Sequence, residues 1–68
     1  MSIPITVNGQ FRDIDSSWTI SHLLADLKIE SRYCAVERNL EVIPRERHAE
    51  CRLNAGDRIE IVTLVGGG

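Results

Sequence analysis

Cysteine and histidine are the side chains of this sequence best suited to chemistry, and the chain holds two of each. Cys51 follows His48 in the run "HAEC", a spacing that can bring an imidazole next to a thiol and activate it as a nucleophile. No third group that would orient such a pair is evident, so we interpret Cys51 as non-catalytic. Cys34 lies beside Ala35 and Val36 in an apolar run, which favours a small buried side chain.

Metal and phosphate chemistry are not supported by the spacing of the same residues. The cysteines and histidines form no C-x₂-C or H-x₃-H pair, whereas a structural zinc site needs four ligands. His22 falls beside an apolar helical stripe and is interpreted as a surface or boundary side chain. No glycine-rich loop opens a helix onto a phosphate, and Glu41 and Glu46 are interpreted as solvated charges. We therefore expect no metal site.

The composition allows a small core and argues against several classes of partner. With 68 residues, 43% hydrophobic and 26% charged, the chain predicts a single globular domain over residues 1–68. Its net charge of −2, with the arginines scattered among acids, gives no reason to expect nucleic acid. No apolar run is long enough for a membrane span, and no signal peptide begins the sequence. The expectation is a cytoplasmic protein with no membrane partner.

The hydrophobic pattern predicts a hairpin followed by one helix. Alternating apolar residues precede Asn8-Gly9, a pair suited to a two-residue turn with positive φ. Pro4 is placed at the start of the first strand, with its missing N–H facing no partner. In "TISHLLADL" the apolar residues recur at helical spacing, and Ser17 or Thr19 is the candidate N-cap.

Further strands complete the pattern. "YCAVERNLEVI" predicts a strand, a polar break at Arg38-Asn39 and a shorter strand that ends before Pro44. "PRERHAECRL" predicts a loop, "NAGD" a turn, and "RIEIVTLV" the clearest strand in the chain. We interpret the order as an α+β β-grasp fold: a mixed four- to five-stranded sheet, one main helix packed on one face, and a flexible glycine tail at residues 65–68.

The last predicted strand has two different faces. If Ile59 and Ile61 point towards the helix, Val62 and Leu64 emerge on the open face of the sheet, close to the tail. Exposed apolar residues there would form a docking patch for a partner. Two isolated surface hydrophobic residues are the equally supported alternative.

The sequence finishes on "LVGGG", a run that adds no side chains to a core. A functional interpretation is an end that is thin, mobile and reachable by a partner's active site. The alternative is a frayed terminus without a role.

The segment "EVIPRERHAECRLNAGDRIEIVTLVGGG" resembles the C-terminal half of the ThiS family, the sulfur carriers of the thiamine pathway. The matching features are "VIPR" at residues 42–45, the acidic Glu46, the "GD" turn at Gly56-Asp57 and the glycine end. The helix "TISHLLADL" is also similar to the family's pattern. The departure is Gly66, a third glycine where many relatives have two. The resemblance implies the ubiquitin-like β-grasp that this family shares with molybdopterin sulfur carriers and with ubiquitin.

The resemblance also implies a role for the chain end. The carboxylate of Gly68 would be adenylated with ATP and magnesium by a partner of the ThiF/E1-like adenylyltransferase class, then converted to a thiocarboxylate. A sulfur donor such as a cysteine desulfurase would supply the sulfur, and thiazole synthase would receive it. Gly66, Gly67 and Val65 would contact the partners, as would Val62 and Leu64 on the separate argument from the strand pattern. The chain itself would be a co-substrate and not an enzyme, with no tightly bound cofactor.

Three alternatives stay open at this stage. The chain could be a ubiquitin-like modifier whose Gly68 forms an isopeptide bond, although "VIPR" and the single lysine, Lys28, favour the carrier. It could carry sulfur for another pathway, such as molybdopterin or cysteine synthesis. It could also be a β-grasp interaction module whose tail is never activated.

Overall fold

The computed structural model describes residues 1–64, and the predicted tail at residues 65–68 lies outside the described residues. Its elements follow the predicted order of strands and helix. They are β1 (Ser2–Val7), β2 (Gln10–Asp15), α1 (Ile20–Asp26), β3 (Cys34–Arg38), β4 (Glu41–Ile43) and β5 (Arg58–Thr63), with short 3₁₀ turns at Ser31–Tyr33 and Arg45–Arg47.

The strands form one mixed sheet in the order β2-β1-β5-β3-β4. β1 and β5 are parallel, with Thr6 opposite Arg58 and Val7 opposite Ile59, and the other neighbours are antiparallel. The last strand therefore lies at the centre of the sheet, between the two hairpins. The predicted mixed sheet is confirmed, at five strands.

Both hairpins turn on residues with positive φ. Asn8 and Gly9 have φ of 51° and 81°, as the sequence predicts for a two-residue turn. The second turn uses Asn39 and Leu40, with φ of 53° and 71°. It falls one residue later than the predicted break at Arg38-Asn39, because local composition did not mark Leu40 as a turn residue.

Pro4 is the third residue of β1 and not its first, which corrects the predicted position. The N–H groups of Thr6 and Asn8 donate to the carbonyls of Asp57 and Ile59, at 3.0 and 2.8 Å. Paired residues of β1 and β5 begin only at Thr6, so the ladder does not need an N–H at Pro4. The proline is tolerated in a central strand because it precedes that ladder.

The core lies between α1 and one face of the sheet. Thr19 caps the helix: its hydroxyl accepts from the His22 N–H at 3.4 Å, and its own N–H donates to Nδ1 of His22 at 2.9 Å. This confirms one of the two predicted caps and gives the exposed His22 a structural role. The most deeply buried side chains come from both layers: Ile5, Ile20, Leu23, Leu24, Val36, Leu53 and Ile59.

Candidate functional site

The cysteines and histidines do not assemble a reactive centre among residues 1–64. Cys34 is buried, as predicted, and its Sγ lies 3.7 Å from the carbonyl of Ser31. Burial raises the pKa of the Cys34 thiol, which disfavours the reactive thiolate. Within the described part of the chain, no group of three or more acidic, cysteine and histidine residues could hold a metal ion, and no helix is long and apolar enough to cross a membrane.

His48 and Cys51 turn to different partners. His48 is buried, and its Nε2 donates to the carbonyl of Ile43 at 3.1 Å. Cys51 instead accepts a hydrogen bond from Nη1 of Arg38 at 3.3 Å. The two side chains of "HAEC" are therefore hydrogen-bonded to different groups and not to each other in the described structure. The burial of His48 was not predicted, because histidine gives no hydropathy signal in a polar loop.

The end of β5 presents the two faces that its sequence predicts. Ile59 and Ile61 are buried, whereas Val62 and Leu64 are 60% and 54% exposed. The N–H of Leu64 donates to the carbonyl of Tyr33 at 2.7 Å, so pairing with the β3 side continues to the last described residue.

Val62 and Leu64 do not stand alone on the open face. Ala35 is directly opposite Val62 in the antiparallel β3–β5 pair, and side chains on one face of a strand are two residues apart. We call Ala35, Val62 and Leu64 the open-face patch. Glu37 and Glu60 are also directly opposite each other, and each lies two residues along its strand from a patch residue, on the same face. Acidic side chains therefore border the patch.

Asn8 is a residue whose second role sequence reasoning missed. Its Oδ1 accepts from the N–H of Ile61 at 2.7 Å, and its Nδ2 donates to the carbonyl of Ile61 at 3.1 Å. The side-chain amide thus imitates one more residue of β1 and extends the β1–β5 pairing towards the tail. The Asn8-Gly9 pair predicted only the turn, because the hydrogen bonds of Asn8 to Ile61 join residues that are 53 positions apart in the chain.

The "GD" turn fixes the start of β5. Asp57 is buried and accepts from the N–H of Asn54 at 2.8 Å and from Nδ2 of Asn39 at 3.1 Å. Oδ1 of Asn39 in turn accepts from the N–H of Arg58 at 2.9 Å. Gly56 has a φ of 86°, which favours glycine at that position. These hydrogen bonds of Asn39 therefore connect the start of β5 to the β3–β4 turn.

The remaining predicted site residues, Val65, Gly66, Gly67 and Gly68, lie outside the described residues. The described part supplies the central strand that precedes them in the chain. Asn8 binds this strand on one side, the carbonyl of Tyr33 binds it on the other, and the open-face patch lies beside its end.

A helix on one face of a mixed five-stranded sheet, with the first and last strands parallel at its centre, defines a ubiquitin-like β-grasp protein. The chain belongs to the ThiS family, whose model matches residues 5–68. This confirms both the predicted fold and the resemblance on which the functional hypothesis depends.

Individual relatives agree with this family. The sulfur carrier protein ThiS of Bacillus subtilis is 50% identical over 50 residues, covering 74% of this chain and 76% of that protein. The crystal structure of the thiamine biosynthesis protein (ThiS) of Geobacter metallireducens has a TM-score of 0.81 and 35% identity, covering 97% of this chain and 100% of that one.

Longer relatives also contain a region similar to this chain. A thiazole synthase of Paramagnetospirillum magneticum is 44% identical over 64 residues, which are 94% of this chain but 20% of that protein. A thiazole synthase of Magnetococcus marinus is 34% identical, and again the chain spans a fifth of its length. The similarity therefore concerns one segment of those proteins.

Proposed function

We propose that this chain is a sulfur carrier in thiamine biosynthesis, with the carboxylate of Gly68 as the group that carries the sulfur. The observation that supports the proposal best is the family match, which extends through the glycine run to residue 68. The Bacillus subtilis relative is named a sulfur carrier, and the Geobacter metallireducens relative a thiamine biosynthesis protein.

The proposed chemistry starts from an unreactive group. A carboxylate at neutral pH is a poor electrophile because it is anionic and resonance-stabilised. An adenylyltransferase of the ThiF/E1-like class would join it to the AMP portion of ATP, with magnesium, and release pyrophosphate. The terminal sulfur of a persulfide on a donor such as a cysteine desulfurase would then displace AMP to give an acyl disulfide. A thiol reductant would cleave that disulfide, leaving a thiocarboxylate on Gly68, a thiol on the donor and the reductant as its disulfide. The carrier is the co-substrate of these enzymes, and the ATP belongs to the partner's active site.

Gly66 and Gly67 suit such a reaction because glycine has no Cβ. A partner can approach the backbone closely on all sides and pass the chain end through a narrow channel. Val65 would be the first residue inside the partner, and Gly68 would reach the bound nucleotide.

Docking of the folded part would position the tail. We propose that the open-face patch binds the adenylating partner. Its exposed apolar side chains lie beside the tail, and burying apolar surface in an interface lowers the free energy of binding. Thiazole synthase is the proposed recipient of the sulfur, in keeping with the two relatives that bear that name.

Mass spectrometry of the intact chain, isolated from its own cells without reducing agent, tests the proposal. We expect a fraction in which one terminal oxygen is replaced by sulfur. Oxidation of Met1 or of a cysteine adds nearly the same mass, so fragmentation must map the change to Gly68. A chain lacking Gly68 is the matched control and should not acquire it.

The contrary result is equally clear. If the chain retains its carboxylate after incubation with ATP, a sulfur donor and extract of its own cells, the carrier proposal is wrong. The β-grasp interaction module would then be the better interpretation.

A further inference from the structure

Three arginines that are separated along the sequence converge on one groove in the structure. The groove has a volume of about 560 Å³ and lies on the helix side of the β3–β4 hairpin, next to the segment at residues 44–52. We call it the β4 groove; the lining residues used below are Arg38, Glu41, Val42, Arg47, Glu50 and Arg52. Residues 42–44 of the "VIPR" motif form one wall, and the sulfur-transfer chemistry gives them no task there.

Two of the three arginines in the β4 groove have no carboxylate partner among residues 1–64. Nη1 of Arg38 donates to the carbonyl of Arg52 at 3.0 Å and to Sγ of Cys51 at 3.3 Å. Only Arg47 forms an ion pair, with Glu50 at 3.4 Å, and these two side chains are 66% and 70% exposed. The guanidinium groups therefore favour a ligand that brings carboxylates of its own, which they can bind by charge-assisted hydrogen bonds.

β4 also has an open backbone position at the edge of the sheet. In β3, the N–H of Asn39 and the carbonyl of Tyr33 bond to β5, so the peptide groups of Glu37, at even spacing from both, also face β5. Glu37 is opposite Val42 in the antiparallel β3–β4 pair, and opposite residues in such a pair exchange both of their hydrogen bonds or neither. Val42 therefore directs its N–H and carbonyl away from β3. β4 is the last strand of the sheet, and no residue among 1–64 pairs with these groups.

The open edge is limited to one residue. Pro44 has no N–H, and its carbonyl already accepts from the N–H of Arg47 at 2.9 Å. On the other side of Val42, Leu40 belongs to the turn and has a φ of 71°, so strand geometry ends there. A strand that pairs at this edge can bond only to Val42, which fixes its register.

We propose that the β4 groove binds an extended acidic segment of a partner protein, which pairs with the backbone of Val42 as an added strand. Strand addition at an exposed edge is a general mode of peptide recognition. Side chains alternate along a strand, so those that point to the groove meet Arg47 and Arg52. Those that point the other way lie beside the side chain of Val42, which is 63% exposed on the open face. The segment therefore carries carboxylates at every second position, with apolar residues between them.

The open edge and the charges together favour this occupant. A free anion or a nucleic acid would use the guanidinium groups but would leave the N–H and carbonyl of Val42 without partners. The inference goes beyond sulfur transfer and concerns a different part of the sheet. Arg38 is opposite Ile59, near the start of β5, whereas the open-face patch lies at the end of that strand. A partner in the β4 groove therefore leaves the open-face patch free.

Isothermal titration calorimetry with the full chain tests the inference. The probe is an acetylated and amidated heptapeptide of alternating valine and glutamate, and its control has glutamine in place of glutamate. We expect the acidic peptide to bind and the Kd of the control to be about tenfold higher, because its amides make no charge-assisted hydrogen bonds as acceptors. A short oligouridylate is the second control and should not bind.

Arg47→Gln removes one guanidinium group of the groove, and Arg32→Gln is its matched control. Both arginines are exposed and paired with one glutamate, at 3.4 and 3.2 Å, but Arg32 does not line the groove. We expect Arg47→Gln to raise the Kd of the acidic peptide about threefold to fivefold, the range of an exposed charge pair, and Arg32→Gln to leave it unchanged. The thermal unfolding temperature should be the same in both variants, because exposed ion pairs add little stability.

Val42→Pro tests the open edge. It removes the outward N–H, whereas Val42→Ile keeps that N–H and a branched apolar side chain. We expect Val42→Pro to raise the Kd about tenfold, the upper range for one hydrogen bond, and Val42→Ile to leave it unchanged. If urea unfolding shows that Val42→Pro does not fold, amide hydrogen exchange of the unmodified chain decides the point: exchange at Val42 should slow when the acidic peptide is added.

Four results would each overturn the inference. They are no binding of the acidic peptide, equal binding of its glutamine control, equal effects of Arg47→Gln and Arg32→Gln, and unchanged exchange at Val42 in the complex. Binding of the oligouridylate that depends on Arg47 would give the groove to nucleic acid instead. None of these results concerns the mass of Gly68, so the sulfur-carrier proposal is tested separately.

Discussion

Asn8 and Ile61 exchange two hydrogen bonds, of 2.7 and 3.1 Å, although 53 positions separate them in the chain. One partner is a side-chain amide and the other the backbone N–H and carbonyl of a single strand residue, so a turn residue completes the pairing of the central strand. The strand that leads to the tail is thereby held on both sides. This contact makes Asn8 the residue to test first.

Asn8→Ala is expected to lower the free energy of unfolding by about 1–3 kcal/mol, because it leaves Ile61 without partners and places alanine at positive φ. Asn8→Gly removes the same hydrogen bonds without the backbone strain and should cost less. Urea unfolding of the three proteins separates the two effects. Equal stability of Asn8→Gly and the unmodified chain would show that the bonds to Ile61 contribute nothing.

Core truncation should be far more damaging than truncation on the open face. Ile59→Ala and Leu24→Ala are each expected to cost about 2–5 kcal/mol, because both side chains are buried between helix and sheet. Val62→Ala, in the same strand but exposed, should change stability by no more than about 0.5 kcal/mol. A similar loss in all three, measured by chemical denaturation, would contradict the described packing.

The open-face patch predicts a defect in adenylation without a defect in folding. Val62→Ser and Leu64→Ser should raise the KM of the adenylyltransferase for the carrier, because they remove apolar surface from the proposed interface. Val42→Ser tests how far the patch extends, since Val42 is as exposed and lies on the same open face, opposite Glu37, but in the edge strand β4. Pyrophosphate release gives the rates. Equal effects of all three changes would argue against a localised patch.

Deletion of Gly68 should separate function from stability. A glycine has no side chain to pack, so we expect the unfolding midpoint to stay the same while sulfur transfer is lost. Thiazole formation in a reaction with purified partners is the measurement. Retained activity in the shortened chain would show that the carboxylate of Gly68 itself is not required, and mass mapping to Gly67 would show whether the new terminal carboxylate replaces it.

The two thiols should react at different rates. Burial raises the pKa of the Cys34 thiol, so a smaller fraction of Cys34 is thiolate at a given pH than for an exposed cysteine. Alkylation of Cys34 in the folded chain should therefore be slow. Cys51 is only partly buried and should be labelled first by iodoacetamide at pH 8. In urea the two rates should converge. Faster labelling of Cys34 in the folded protein would contradict its placement in the core.

The sequence predicted those features that depend on neighbours in the chain. The turn at Asn8-Gly9, the cap at Thr19 and the alternation of β5 follow from local spacing, and each is present. The second role of Asn8 and the burial of His48 were missed, since both depend on segments that meet only in the folded chain. The predicted position of Pro4 at the start of β1 was wrong for the same reason. A proline is tolerated inside this strand because the residues of β1 that pair with β5 begin only at Thr6.

The central position of β5 also has a consequence for biosynthesis. β1 and β2 emerge from the ribosome first, and β3 and β4 follow, but the two hairpins have no strand between them until β5 has been translated. Pairing of Thr6 with Arg58 joins ends of the sequence that are distant, and such long-range contacts form late. A nascent chain therefore cannot finish its sheet early. Translation itself therefore delays any recognition of the folded surface until the last strand has been made.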